Sequence, residues 1–476
     1  MNTKLLRIIS VLILAAFMLM PGLGIGAAQQ ANQGKALHAV LQALATSAYG
    51  ITTRISLAND GSQGNAPSEY ASISADGRYV AFDSDASNLV INDTNNEEDV
   101  FVHDRWTGTT ERVSITSNGD QADGRSFGRA TSADGRFVAF TSYADNLVSG
   151  NVNNNGNIFV HDRQTGITEL ISVAIDGSQG NGFSHLPSIS ADGRYVAFHS
   201  WASNLVSDDT NGKGDEFVRD RQTGITERIS IASDGTQGNG ESDHPSISAD
   251  GRFVAFSSSA WNLVSGDTNN FCDEGSNCWD VFVHDRQTGI TERISVASDG
   301  TQGNGESALP SISADSRYVA FASGANNLVV EDTNSSWDIF VHDRQMGETE
   351  RISVASDGSQ GNFASSEPSI SVDGRYVAFH SLASNLVSGD TNEKFDIFFH
   401  DRQTGFTERV SVAIDGKQGN EMSITPSISG DGRFIAFYSF ASNLVIGDTN
   451  GCQDVFVHDR EGRNFLRYLP FVKNRP

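Results

Sequence analysis

The feature that most constrains the fold is a 58-residue repeat that runs through most of the chain. The Asp of an Asp-Gly-Arg or Asp-Ser-Arg turn recurs at positions 76, 134, 192, 250, 315, 373 and 431. The Asp of a later triplet, usually His-Asp-Arg, recurs at positions 104, 162, 220, 285, 343, 401 and 459. Both series are spaced by 58 residues except for one interval of 65, which places a seven-residue insertion in the fourth copy. Such a period is typical of solenoids and propellers.

Each repeat contains four strand signals bounded by turn residues. The first, "PSIS", passes through "ADG" into the second, "RYVAF", which is apolar on both faces and is therefore expected to be buried. The third, "DVFVHD", is joined by "RQTG" to the fourth, "TERISV", whose charged residues suit an exposed edge. Gly77 and its equivalents suit a left-handed turn residue, and Ser316 in the fifth repeat is expected to cost about 1 kcal/mol there.

Four antiparallel strands in each of seven repeats predict an all-β fold, a seven-bladed β-propeller of four-stranded antiparallel blades. A solenoid is the main alternative, but its ends need capping repeats. A fourth-strand signal at residues 52–56 has no first three strands before it, and the last repeat has only a degraded fourth strand. We therefore expect this N-terminal strand to complete the last blade and close the ring.

The unit "PSISADGRYVAF…DIFVHDRQTGITERIS" resembles the TolB-like, WD40-like (PD40) β-propeller repeat over about residues 51 to 460. The resemblance implies a propeller fold. It implies no single activity, because this propeller type is an interaction platform in some proteins and a substrate-gating domain in certain peptidases. TolB-like proteins also have an amino-terminal α/β domain, for which residues 29–50 are too short, so that family's partner contacts do not carry over.

The N-terminal residues predict export. Lys4 and Arg7 precede an apolar run over residues 8–20 and a small-residue cleavage site at residues 26–28, the pattern of a Sec-type signal peptide. An uncleaved anchor is the alternative, but the apolar run is short for about 30 Å of hydrocarbon. We expect a secreted or periplasmic protein with no transmembrane span in the mature chain. The expected organisation is 1–28 signal peptide, 29–50 linker with a short helix around residues 37–44, 51–463 propeller and 464–476 tail.

Charge and cysteine content limit the partners and the redox chemistry. The formal net charge of −26 makes the surface repel phosphate backbones, so we expect no nucleic-acid partner. We expect a monomer. Cys272 and Cys278 lie close together in the insertion and predict a disulfide in an exported protein, which leaves Cys452 unpaired.

The loop between the second and third strands carries a recurring "DTNxxxD" motif that suggests calcium as a cofactor. Its oxygen side chains at positions one, three and seven resemble the start of a calcium loop, although the Glu at position twelve of an EF-hand is missing. The other interpretation is an Asx turn, in which Asp and Asn bond their own backbone. The second repeat has Asn151 and Asn157 here, and the fourth separates Asp267 from Asp280. The candidate ligands are Asp93, Asn95 and Asp99; Asp209, Asn211 and Asp215; Asp332, Asn334 and Asp338; Asp390, Asn392 and Asp396; and Asp448, Asn450 and Asp454.

The residues at the end of the second strand differ most between repeats, so an individual function is expected there. If they surround the mouth of the central channel, they form an amphipathic patch for a peptide or a glycan; ordinary packing between blades is the alternative. We interpret His185 and His244, in the loops before the first strand, as surface residues. The candidate ligand-binding residues are Tyr143, His199, Trp201, His380 and Phe440.

Catalysis has little support in the sequence. Nucleophile-elbow, zinc-protease and P-loop motifs are all missing from it. The repeated His-Asp-Arg triplets argue against an active site, since a catalytic site needs one asymmetric set of residues. We therefore predict an exported protein- or glycan-binding module of the cell envelope or extracellular space and assign no catalytic residue. The alternative is an enzyme that acts on polysaccharide, a lyase or glycosidase, at the channel mouth.

Overall fold

The computed structural model describes residues 50–150, 155–269 and 278–462. These residues form 28 strands in seven four-stranded antiparallel sheets and include no helix. The predicted all-β, seven-bladed propeller is confirmed. Within the same residues, no helix is long and apolar enough to cross a membrane. The predicted signal peptide, the short helix around residues 37–44, Asn151, Cys272 and the tail at 464–476 lie outside the described residues.

The strands follow the repeat. The chain begins with β1 (Ile51–Arg54). Each blade is given from its innermost strand outward, and blade 1 is β2 (Ser68–Ile73), β3 (Tyr79–Ser84), β4 (Asp99–Asp104) and β5 (Thr109–Arg112). Blade 2 is β6 (Ser126–Thr131), β7 (Phe137–Ser142), β8 (Asn157–Asp162) and β9 (Ile167–Leu170). Blade 3 is β10 (Ser184–Ile189), β11 (Tyr195–Ser200), β12 (Asp215–Asp220) and β13 (Ile225–Arg228). Blades 4 and 5 are β14 (Ser242–Ile247), β15 (Phe253–Ser258), β16 (Asp280–Asp285) and β17 (Ile290–Arg293); and β18 (Ser307–Ile312), β19 (Tyr318–Ser323), β20 (Asp338–Asp343) and β21 (Glu348–Arg351). Blade 6 is β22 (Ser365–Ile370), β23 (Tyr376–Ser381), β24 (Asp396–Asp401) and β25 (Phe406–Arg409), and blade 7 contains β26 (Ser423–Ile428), β27 (Phe434–Ser439) and β28 (Asp454–Asp459).

The ring is closed by the N-terminal strand, as predicted. Strand β1 pairs antiparallel with β28, with Ile51 opposite Asp459 and Arg54 opposite Phe456, and becomes the outermost strand of blade 7. The Thr52 hydroxyl also donates a hydrogen bond of 2.5 Å to the carbonyl of Val412 in blade 6. Both ends of the described chain therefore belong to one sheet, which removes an unpaired edge of the array.

The innermost strand of each blade starts earlier than the "PSIS" signal predicts and contains a bulge. In β22 the register shifts between Ser366 and Ser369, so Pro368 lies inside the strand. A bulge accommodates proline because the residue there makes no ladder hydrogen bond. One residue per bulge is left-handed, and we call these the bulge residues: Tyr70, Gly128, Leu186, His244, Leu309, Glu367 and Thr425.

The predicted left-handed turn between the first and second strands is confirmed. Gly77 has φ 71°, and Ser316 has φ 61° at the equivalent position of blade 5. A Cβ at Gly77 would lie 2.1 Å from Cδ2 of Phe434 in the neighbouring blade. Glycine is therefore favoured both by the backbone conformation and by the close approach of the adjacent blade.

The hydrophobic core lies between adjacent blades. Between blades 1 and 2, for example, Val100 and Val102 of β4 pack with Phe140 of β7 and Phe159 of β8, all nearly inaccessible to solvent. Within blade 2 the rings of Phe140 and Phe159 are stacked with centroids 5.9 Å apart. Since each inner strand contributes apolar side chains to both of its faces, every blade is held by its two neighbours.

The recurring arginines pair with the recurring aspartates inside each blade. In blade 1, Arg78 donates from Nε to Asp104 Oδ1 at 3.0 Å and from Nη2 to Asp104 Oδ2 at 2.6 Å. The same two-point contact is present in the other blades, as with Arg375 and Asp401 in blade 6. The hydrogen bonds from Arg375 hold the pKa of Asp401 at about 2. The pairs join the turn after the first strand to the end of the third strand.

The cysteines follow the predicted pattern where they are described. Cys278 is disulfide-bonded, and Cys452 is free. Cys272, the predicted partner of Cys278, lies outside the described residues, so the identity of that pair stays a prediction.

Candidate functional site

The candidate site is the mouth of the central channel, on the face where the second strands end. A cavity of about 580 Å³ lies there. All seven bulge residues line it, and their side chains range from apolar (Leu186, Leu309) to acidic (Glu367) and imidazole (His244). Backbone strain of this kind is often found at functional sites. The cavity is therefore surrounded by one position per blade whose chemistry changes around the ring.

An aromatic cluster, formed by Tyr143, Phe183, His185 and Trp201, lies beside this cavity in blades 2 and 3. The ring planes are nearly parallel: Tyr143 and Phe183 are inclined by 8° with centroids 5.7 Å apart, and Phe183 and Trp201 by 13° at 5.9 Å. The His185 ring lies 5.3 Å from that of Trp201. Tyr143 and Trp201 remain 41% and 47% exposed, so the outer part of the cluster is accessible to a ligand.

Blade 3 also contains a buried histidine–glutamate pair beneath the aromatic cluster. His199 of β11 lies opposite Glu216 of β12, and Oε1 of Glu216 lies 3.3 Å from Nδ1 of His199. Burial raises the pKa of Glu216 to about 7, although the nearby His199 opposes this. Burial also opposes protonation of His199, but the hydrogen bond and the charge of Glu216 outweigh it and raise the pKa of the ring. The two groups can therefore share a proton near neutral pH.

Two further side chains complete this polar region. His185 lies opposite His199 in the sheet register, with ring centroids 4.8 Å apart. Burial lowers the pKa of His185 to about 4, and the neighbouring His199 contributes to the decrease. Asp243, from β14 of blade 4, has Oδ1 3.9 Å from Nδ1 of His199. Nitrogen and oxygen ligand atoms of His185, His199 and Asp243 all lie within 4.8 Å of one another.

The part of the cavity wall formed by blades 1 and 2 contains ion pairs. The buried Asp83 carboxylate accepts hydrogen bonds from the Gly128 amide at 2.9 Å and from Arg129 Nη1 at 2.8 Å. Nearby, Arg125 lies 2.5 Å from Glu98, whose pKa is raised to about 7 mainly by burial. Both arginines that line the cavity therefore already have an acidic partner.

The five predicted ligand-binding residues do not form one group. Tyr143, His199 and Trp201 come together around blade 3, as described above. His380 is buried in blade 6, 3.6 Å from Glu367 and edge-on to Phe395. Phe440 in blade 7 packs near Tyr438, which in turn contacts Tyr70. None of the five is among the residues that line the cavity, and whether they bind a ligand stays a prediction.

The "DTNxxxD" loops are held together by hydrogen bonds and ion pairs. In blade 1, Asp99 Oδ2 accepts from Arg112 Nη1 at 3.1 Å and from Gln121 Nε2 at 3.0 Å, while Oδ1 accepts from the Ser114 hydroxyl. Asn95 Oδ1 accepts from the amide two residues later, at 3.1 Å, as in an Asx turn. These contacts use the carboxylate oxygens that a calcium ion would need.

Blade 2 differs from the others at both ends of this ion pair. Asn157 replaces the aspartate, and Leu170 replaces the arginine found at the end of the fourth strand in the other blades. Asn157 keeps the hydrogen bond from the Ser172 hydroxyl, at 3.1 Å. Because the acid and the base are lost together, the aspartate is best explained as the partner of the arginine. The calcium hypothesis stays a prediction.

Sequence reasoning missed Phe183, Glu216 and Asp243 and interpreted His185 as a surface residue. One signal was available: Glu216 stands where the other six repeats have Val or Ile. A charged residue at a position that is apolar in every other copy marks a local function, because burying a carboxylate without a partner is costly. The side-by-side placement of His185 and His199 required the strand register, and the contribution of Asp243 required the neighbouring blade.

Comparisons with known proteins agree with the fold. No protein-family model matches the chain, and no curated protein matches it. The fold is similar to that of oligogalacturonate lyase from Vibrio parahaemolyticus, with 13% sequence identity over 86% of this chain and 93% of that chain and a TM-score of 0.50. An oligogalacturonate lyase in complex with manganese aligns over the same shares of the two chains with 12% identity and a TM-score of 0.51. TolB from Acinetobacter baumannii aligns over 81% of this chain and 70% of its own, with 17% identity and a TM-score of 0.38.

At these sequence identities the similarity shows a common fold and nothing further. The propeller that the TolB-like repeat implies is confirmed by the seven blades themselves. The fold does not define the function, which depends on the side chains at the channel mouth.

Proposed function

We propose that this protein is an exported binding module that holds a neutral glycan at the channel mouth, against the aromatic cluster of blades 2 and 3. The observation that carries the proposal is the single set of nearly parallel rings formed by Tyr143, Phe183 and Trp201, two of which are partly exposed beside a cavity. Repeated packing between blades does not require these residues, since most other blades have smaller or different side chains at the same positions.

The aromatic rings of the cluster and the adjacent cavity together suit a sugar. Ligand sites combine an apolar, aromatic wall with a few placed polar groups. Here the rings supply the wall, and His244 and Glu367 supply polar groups on the cavity surface. A pyranose has an apolar C–H face that packs on an aromatic ring and hydroxyls that bond to the polar groups. The site therefore offers both parts of glycan recognition.

Charge favours a neutral ligand. The chain carries a formal net charge of −26, and Arg125 and Arg129 at the cavity are already paired with Glu98 and Asp83. Since both arginines among the described residues that line the cavity have acidic partners, a polyanionic glycan would meet mainly repulsion. An oligogalacturonate, the ligand class in the names of two proteins with this fold, is therefore disfavoured here.

The second candidate function is a polysaccharide lyase or glycosidase. The observation that favours it is the buried His199–Glu216 pair, which occurs in one blade and can exchange a proton near neutral pH. General acid–base catalysis needs such a group within reach of the substrate. If the protein is an enzyme of this kind, a glycan bound at the channel mouth would be cleaved.

The binding test is a glycan array followed by calorimetry on the best neutral glycan. We expect Trp201→Ala and Tyr143→Ala each to weaken binding by about fivefold, because each removes a stacking surface worth about 1 kcal/mol. Trp261→Ala is the matched control, since Trp261 is also an exposed tryptophan and lies outside the cluster. Unchanged affinity in both cluster variants would remove the proposal, as would a preference for peptides over every glycan.

Two further measurements test whether the protein cleaves the glycan and whether it is exported. Chromatography of the best glycan after long incubation distinguishes a binding module, which returns it intact, from an enzyme. Export is tested by cell fractionation and N-terminal sequencing of the purified protein, which we expect to start after residue 28. Recovery of the uncleaved chain in the cytoplasm would contradict the export part.

A further inference from the structure

Four polar side chains meet at the boundary between blades 3 and 4, and the sheet register aligns three of them. His185 lies opposite His199, and His199 lies opposite Glu216, so one row crosses β10, β11 and β12. Asp243 reaches the same place from β14 of blade 4, where it occupies the position that His185 occupies in blade 3. The row is therefore built by two adjacent blades.

This set occurs once in the ring. The position of Glu216 is filled by Val100, Ile158, Val281, Ile339, Ile397 and Val455 in the other blades. Glu216 and His199 are 0% and 1% exposed. An ionised carboxylate in such a place destabilises the fold unless a cation or a full set of hydrogen bonds compensates it.

The hydrogen bonds within the described residues do not complete that compensation. Oε2 of Glu216, Nε2 of His199 and Nε2 of His185 are buried and have no hydrogen-bond partner there. Buried polar groups in folded proteins are nearly always satisfied, so three such atoms in one small region indicate a ligand.

We infer that His185, His199 and Asp243 bind a divalent first-row transition-metal ion, and that the adjacent carboxylate of Glu216 helps to offset the charge of that ion. This site goes beyond the proposed glycan binding and does not depend on it. Two neutral imidazoles, two carboxylates and one divalent cation sum to zero charge, which offsets part of the cost of burying Glu216.

The ligand types select the class of ion. Imidazole suits zinc, copper, iron and nickel, whereas calcium and magnesium prefer sites built of oxygen ligands alone. The ligand atoms of the three residues lie within 4.8 Å of one another. A tetrahedral ion with bonds of about 2.0 to 2.2 Å holds its ligands roughly 3.4 Å apart, so the side chains would close by about 1.4 Å at most. His185 lines the cavity and has no hydrogen bond on Nε2, so a turn of its ring within the stack of Phe183 and Trp201 breaks no hydrogen bond there.

The test uses zinc and cobalt alone as probes, on the untagged chain after treatment with a chelator. We expect calorimetry to show one bound zinc ion per chain, and cobalt to give visible absorption bands that disappear when zinc is added. The absence of zinc binding by the unmodified protein would overturn the inference. Because no glycan is present, this result is independent of the binding test above.

The variants replace each ligand by a residue that another blade carries at the same position, which protects the fold. His199→Ser copies Ser257 of blade 4, and His185→Ala copies Ala308 of blade 5. We expect each to weaken zinc binding by at least about tenfold. Asp243→Ala also copies Ala308 and should have the same effect.

The matched control is His380→Ser. His380 is the equivalent of His199 in blade 6, but the other three positions of the row there are Ser366, Ile397 and Ile424. The control should bind zinc as the unmodified protein does. Equal zinc affinity in His199→Ser, with unfolding temperatures showing that all variants fold, would show that any bound ion lies elsewhere and would overturn the inference.

Discussion

The guanidinium of Arg409 lies 3.4 Å from the carboxylate of Asp396, and both side chains are largely buried at the outer part of blade 6. Blade 2 lacks both partners, having Asn157 and Leu170 at the same positions. The acid and the base are therefore present or absent together.

Removing one member of the pair should cost more than removing both. We expect Arg409→Leu to lower the free energy of unfolding by about 2 to 4 kcal/mol, because it leaves buried carboxylates without their cation. Asp396→Asn should cost less, because Arg409 keeps Asp390 at 3.2 Å. The double variant reproduces blade 2 at these two positions, although it keeps Asp390 where the second repeat has Asn151. Its loss should be smaller than the sum of the single losses by at least about 1 kcal/mol. Chemical denaturation of the four proteins measures this coupling, and strict additivity would contradict the pairing.

Calcium should not stabilise the protein. In blade 6 the Asp396 carboxylate already accepts hydrogen bonds from Ser411, Asn392 and Arg409. A calcium ion would have to displace the positively charged guanidinium. We expect unfolding temperatures to be unchanged by calcium or by a chelator, whereas a rise with calcium that is reversed by the chelator would support the calcium loops instead.

Ser316→Gly should stabilise the protein by about 1 kcal/mol. Ser316 has φ 61°, in the left-handed region where a side chain is strained. The reverse change, Gly374→Ser, is the control in blade 6, where a Cβ would lie 2.1 Å from Cδ2 of Tyr318. We expect it to lower the unfolding temperature, while Ser316→Gly raises it. A lower unfolding temperature for Ser316→Gly would argue against the strain.

Replacing a buried histidine of the third strands should reduce the loss of stability in acid. Burial of His284 lowers the pKa of its ring to about 4, whereas an unfolded histidine titrates at about 6.5. Between these values the unfolded chain binds the extra proton, so stability falls as the pH decreases through this window.

We expect His284→Gln to remove about 1 to 2 kcal/mol of the stability loss between pH 7.5 and pH 5. Glutamine can keep a hydrogen bond to Thr291, which lies 2.8 Å from the His284 ring. Blade 3 already has the non-titrating Arg219 at this position, so the site tolerates other residues. Denaturation at the two pH values measures the difference, and an identical pH dependence in both proteins would contradict the assignment.

The fold was predictable because its determinants are local and repeated. The turn at Gly77 and the apolar run over residues 79–82 each require only neighbouring residues, and the 58-residue period repeats them. The N-terminal strand could be assigned to blade 7 because the last repeat lacked a good fourth strand. The bulges were not predicted, since the strand there continues through a proline that normally ends it.

The site was predictable in part. Tyr143 and Trp201 were identified because they vary between repeats that otherwise agree. Phe183 and Asp243 were missed, because their importance comes from contacts with side chains of other strands or of the next blade. The "DTNxxxD" pattern suggested calcium because the sequence does not show that Arg112 and Gln121 reach the same carboxylate.

The amino-acid order alone determined the number of blades, their four-strand composition and the closure of the ring, because turn residues and strand patterning act over a few residues and the repeat multiplies them. Only the tertiary structure decided that His185, His199, Glu216 and Asp243 form one polar region, because their proximity depends on strand register and on the packing of blade 3 against blade 4. Contacts of that kind join residues that are far apart in the chain, and no local pattern encodes them.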